Sequence, residues 1–126
     1  MPEIRILDLR GQKTPTEPTV PSLPLDPHQR AGMARDVHTT PAQFRALATD
    51  STFAVRYAVA ISLRTPPSIL TLMVEDGHPF VRAGVANNPH TPVSALATLA
   101  QDGERTVRAV AQATLAERQH DAEISR

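Results

Sequence analysis

The sequence predicts an all-α fold, a short solenoid of stacked helical repeats preceded by an extended proline-rich arm. Three observations carry that expectation. The stretch Phe80 to Asp102, "FVRAGVANNPHTPVSALATLAQD", resembles Ala54 to Asp76, "AVRYAVAISLRTPPSILTLMVED", at a constant offset of 26 residues, as Arg82 is offset from Arg56. Each copy contains two short apolar stripes at helical spacing, Val55 with Val59 and Leu70 with Met73, then Val81 with Val85 and Leu96 with Leu99. The same step leads back to Arg30, Ala34, Leu47 and Asp50 and forward to Val107 and Arg108. A fixed period of this size marks one supersecondary unit stacked on itself, each copy burying its apolar face on the next.

The chain begins with "IRILDLR", where Ile4, Ile6, Leu7 and Leu9 suit a short strand or an anchoring segment that would have to pair or pack elsewhere. Then "TPTEPTVPSLPLDP" places Pro15, Pro18, Pro21, Pro24 and Pro27 three residues apart. A polyproline II helix has three residues per turn, so these rings would line one edge of a semi-rigid strap. The strap is either a spacer or a docking strip, and Leu23 and Leu25 beside the prolines add apolar contact to the second reading. The expected organisation is an arm over 1–27 and a helical repeat domain over 28–126.

Within each repeat, Thr65-Pro66 and Thr91-Pro92 are expected to start the second helix, threonine as N-cap and proline at the first helical position. Thr40-Pro41 stands one residue out of register with them. "SLR" and "NNPH" form the corners, and Gly77 and Gly103 follow the aspartates as corner glycines. The last copy loses its Thr-Pro corner and ends in "ERQHDAEISR", as expected of a polar helix capping the stack.

Two helices in 26 residues are too cramped for ankyrin, tetratricopeptide or HEAT units, and no L-x-x-L-x-L strand recurs. The stretch "VRAGVANNPHTPVSALATLAQD" resembles the leucine-rich repeat variant family, well in Phe80 to Asp102, fairly in Ala54 to Asp76 and weakly before it. The resemblance implies a right-handed superhelix of alternating α and 3₁₀ helices. Some members of that family hold an iron–sulfur cluster on N-terminal cysteines. This chain has no cysteine, so that cofactor is not carried over.

The absence of cysteine also removes disulfides, thiolate metal sites and cysteine nucleophiles. Formal net charge is zero and aromatic content is 3 %, so the usual footprint of a nucleic-acid binder is absent. No apolar run suits a membrane span or an export signal, and a cytoplasmic location is expected. The most regular charged feature is the column Arg30, Arg56, Arg82 and Arg108, with Asp50, Asp76 and Asp102 as a second column. These form either a structural ladder or a row of cations for phosphates or acidic peptide. The matching aspartates favour the ladder. Five histidines suggest a metal, but no second ligand stands at i+4 from any of them on one helix, so no metal site is expected. No phosphate loop, nucleophile elbow or carboxylate pair appears, and neither an enzyme nor a cofactor is expected.

The function expected is a small interaction module or adaptor that holds a segment of a partner protein. Candidate contacts are Tyr57, Arg64, Asn87, Asn88 and His90 between the repeated columns, with Pro18, Pro21, Leu23 and Pro24 on the arm. Two alternatives stand beside it: a nucleic-acid-binding solenoid using the arginine column, and a self-assembling structural subunit.

Overall fold

A computed structural model describes residues 22–124 and contains helices but no strand among them. Layer 1 holds α1 (Pro27–Gly32), a 3₁₀ turn (Met33–Arg35) and α2 (Pro41–Ala48). Layer 2 holds α3 (Phe53–Ile61), α4 (Pro67–Leu72) and a 3₁₀ turn (Met73–Glu75), and layer 3 holds α5 (Pro79–Asn87) and α6 (Val93–Leu99). The long α7 (Arg105–Ile124) covers the end of the stack by packing on α5 and α6. The α1, α3, α5 and α7 helices form one closely packed row. The α2, α4 and α6 helices form a second, looser row.

Core positions recur every 26 residues. Val55, Val81 and Val107 form one buried column, Phe44, Leu70 and Leu96 a second, and Leu47, Met73 and Leu99 a third, all nearly inaccessible to solvent. Ala34, Ala60 and Ala86 form a fourth, in which only a small side chain lets consecutive layers meet. Gln29 stands in the valine column of layer 1 and is exposed among the described residues, as suits the terminal layer of the stack.

The corners depart from the sequence-based expectation. Thr65 and Thr91 are buried and cap no helix: their hydroxyls donate back to the Val59 and Val85 carbonyls at 2.6 and 2.7 Å. Pro66 and Pro92 occupy the cap positions, and helix begins at Pro67 and Val93. Thr39 makes the equivalent bond to Met33, also at 2.6 Å, so layer 1 has no register slip. Thr40, taken for the equivalent of Thr65, instead caps α2 in a reciprocal capping box with Gln43. The Met33, Val59 and Val85 carbonyls each also accept a backbone amide, from Asp36, Ser62 and Asn88 at 3.1, 3.3 and 3.1 Å, so the threonine hydroxyl finds its own partner there and gives the helix-end carbonyl a second donor. Gly77 and Gly103 adopt no left-handed φ and have open space around them, so the corner does not depend on glycine.

A second device joins one layer to the next. Asn88 is only 2 % exposed, and its Nδ2 donates to the Ala60 and Ser62 carbonyls at 2.8 and 2.9 Å while its Oδ1 accepts from the His90 amide at 2.9 Å. Ser62, one layer earlier, is buried, donates its hydroxyl to the Ala34 carbonyl and accepts from the Arg64 amide.

The arginine and aspartate columns form a ladder. Arg30, Arg56 and Arg82 pair with Asp50, Asp76 and Asp102 at 2.7, 2.8 and 2.8 Å, each pair mostly buried. Arg56, Arg82 and Arg108 also donate to the Asp50, Asp76 and Asp102 carbonyls, so each guanidinium ties its own layer to the one before. Arg30 makes that bond to the Pro24 carbonyl at 3.0 Å, and the repeat register therefore reaches back to Pro24, before the boundary expected at residue 27. Arg108 forms no ion pair with a described residue. The aspartate side chains also hold backbone, since Asp50, Asp76 and Asp102 accept the amides of Thr52, His78 and Glu104 at 2.8 to 2.9 Å, where the next helix starts.

Burial pushes the Asp50 and Asp102 carboxyls up, but hydrogen bonds outweigh it and hold both below the ordinary value. For Asp50 these come from the Thr52 amide and Arg30, for Asp102 from Arg82 and the Glu104 amide. The bond to Asp102 in turn raises Arg82. A carboxyl with a lowered folded pKa contributes stability that is fully present above its unfolded pKa, near ~3.9, and is lost as pH falls through the folded value. Urea unfolding of the wild type should therefore show the ladder's contribution intact at about pH 5 and falling below about pH 4, with a flatter profile there for Asp102→Asn. Arg82→Ala leaves a mostly buried carboxylate unpaired and should cost about 3 kcal/mol, whereas Arg108→Ala, which forfeits no ion pair, should cost about 1 kcal/mol. Asn88→Ala should cost about 2 kcal/mol, by orphaning the buried Ala60 carbonyl and removing the partner of the His90 amide while the Ser62 carbonyl keeps its bond from the Thr65 amide, read as a fall of roughly 10 °C in Tm.

Candidate partner-binding face

Helix α3, "FAVRYAVAI", is apolar nearly all round, so after Val55, Val59 and Ala60 enter the core it still shows Tyr57 and Ile61 to solvent. These are 39 % and 49 % exposed. One layer on, α5 adds Phe80, 62 % exposed, and α7 adds the half-buried Val110. Together with Ala83, Gly84 and Asn87 these side chains line a groove of about 520 Å³ across α3, α5 and α7. A second slot of about 310 Å³ opens between the 3₁₀ turn after α1 and the end of α3, lined by Ala31, Arg35, Ala58, Ile61, Ser62, Leu63 and Arg64. Ile61 lines both, so the two lie side by side.

The groove floor depends on Gly84. A Cβ there would lie 3.1 Å from Ile61 Cγ2 and 3.2 Å from the Ala60 Cβ, so glycine is what allows α5 to approach α3 this closely. At the N-terminal end, aromatic contacts fix the wall. Phe53 stacks on His78 at 4.0 Å, and Tyr57 and Phe80 pack around that pair at 6.0 and 6.4 Å from Phe53. His78 also caps α5, its Nδ1 accepting the Phe80 amide at 3.1 Å. Phe80 thus projects from a rigid base. An apolar patch rimmed by polar groups and built from Tyr, Phe and Arg has the chemistry of a protein contact surface.

The structure brings Tyr57, Arg64 and Asn87 together on this face. Asn88 is removed from the candidate set, since it is buried and all its polar atoms serve the backbone. His90 is exposed at the corner but lines neither groove. Leu23 is half-buried against the core, and Pro24 offers its carbonyl to Arg30, so this end of the arm already packs on layer 1. Pro18 and Pro21 lie outside the described residues. Ile61, Leu63, Phe80 and Val110 are the contact candidates that the sequence reading passed over. Their signal was present: residues 54, 57, 58 and 61, and 80, 83, 84 and 87, form the i, i+3, i+4, i+7 stripe opposite the valines.

Among the described residues no group of His, Asp and Glu side chains is placed to hold a metal ion, and no helix is long and apolar enough to cross a membrane. Residues 79–104 match the family model described as leucine rich repeat variant. No curated protein and no solved structure matches the chain. The matched stretch is layer 3 with the turn that follows it, and layers 1 and 2 repeat its threonine bond and its guanidinium–carboxylate pair. Residues 79–104 are therefore similar to a leucine rich repeat variant, and the layers before them repeat the hydrogen bonds of that stretch.

Proposed function

We propose that the protein is a non-catalytic, cytoplasmic interaction module in which the exposed face of α3, α5 and α7 holds a segment of a partner protein, with the proline-rich arm as a second contact. The observation that carries this reading is the apolar groove around Tyr57, Ile61 and Phe80, which no described residue covers. Large exposed aromatics on a rigid base are the side chains that dominate binding energy when a partner removes them from water. The ladder favours a protein partner over nucleic acid. Phosphate binding needs unpaired charge, and three of the four column arginines are held by carboxylates. Self-assembly through the same face is the other reading in which the groove is filled.

The test is affinity capture from cell extract without nuclease, followed by affinity measurement on the purified partner. Tyr57→Ala with Phe80→Ala should weaken binding at least about tenfold while leaving the helical circular dichroism unchanged. Unchanged affinity would remove this face. Recovery of nucleic acid, or of the protein itself, would transfer the function to the corresponding alternative.

A further inference from the structure

The slot at the layer 1 end of the groove differs from the rest in charge. Arg35, from the 3₁₀ turn, and Arg64, from the following corner, both line it, flanking the apolar surface of Ile61 and Leu63. Both are exposed, and neither makes an ion pair with a described residue. Among the described residues no carboxylate lines the slot or the groove beside it. The chain as a whole is neutral, so this is a local separation of charge. The aspartates Asp50, Asp76 and Asp102 are committed to the ladder. A guanidinium offers a planar fork suited to a carboxylate, and it is less strongly hydrated than an ammonium, so it is readily used at an interface.

We infer that the partner segment is acidic as well as apolar: it places apolar side chains against Ile61 and along the Tyr57 groove and sets carboxylates beside them on Arg35 and Arg64. This rests on the reading of the face as a protein-binding surface and adds the chemistry of the ligand. Complementary charge beside an apolar anchor fixes the direction in which a segment lies and excludes basic competitors.

The experiment selects a displayed random-peptide library on the full chain, then measures the enriched peptides, as synthetic peptides, against three proteins. These are the wild type, Arg35→Glu with Arg64→Glu, and Tyr57→Ala with Phe80→Ala. Arg35→Gln with Arg64→Gln serves as a milder check, and circular dichroism confirms that every variant is folded. The expected result is enrichment of Asp or Glu next to apolar residues, affinity lowered at least tenfold by charge reversal, and weakening by added salt. Peptides that lose affinity with the aromatic pair but are indifferent to charge reversal would leave the binding face standing and overturn its acidic specificity. Peptides indifferent to both variants would overturn the face as well. A fluorescent oligonucleotide that binds the wild type and not the reversed variant would assign the two arginines to nucleic acid instead, again overturning the inference.

Discussion

The constraint on which the structure depends is the shortness of its helices. Except for α7, the α-helices run from 6 to 9 residues. A helix leaves its first four amides and last four carbonyls without internal partners, so in helices this short about half or more of the backbone polar groups belong to an end. Packing such ends into a core is tolerable only if side chains satisfy them. The repeated polar residues do this in every layer. Threonines return hydroxyls to Met33, Val59 and Val85, aspartates receive the amides that open the next helix, and the arginines take up the carbonyls at the aspartates. The ladder is therefore an instrument for closing helix ends as much as an ion-pair network. That gives a physical reason for arginine over lysine: one planar fork can bridge a carboxylate and a carbonyl at once.

The same economy shapes the face. With the repeated polar residues gathered in the corners and along the ladder, α3 and α5 are largely apolar. Helix α3 has more apolar surface than the core can take, and the surplus faces solvent at Tyr57 and Ile61. Close approach of α5, permitted by Gly84, turns that surplus into a groove shared between layers, with Phe80 held in place by the Phe53–His78 stack. Architecture and exposed groove have one origin in the compressed repeat.

Much of this was legible in the residue pattern, and the failures share a cause. The ladder could be read from two columns at one period, because an ion pair between repeated positions must recur with the repeat. Asn88 could not be assigned, since the sequence places it beside the variable Asn87 and both look like polar loop residues. One is sealed between layers and the other is exposed, a difference set by the direction of a single corner. The threonines were misplaced by one position for a related reason. Thr-Pro is a good local signal for a helix start, but in a buried corner the threonine hydroxyl turns back to the carbonyl at the end of the preceding helix instead of forward to the amides ahead of it. Phe80 and Ile61 were passed over because apolar residues in an apolar repeat read as core.

The sequence by itself determined the period, the all-helical class, the core columns and the pairing of arginine with aspartate, since each is a local or strictly repeating pattern that stacking can only preserve. Only the tertiary structure decided which polar residues serve the backbone and which face outward, and which apolar residues stay exposed. Those outcomes depend on how closely α3, α5 and α7 approach and on which corner carbonyls become buried. They are properties of the distances between layers, and no single repeat contains them.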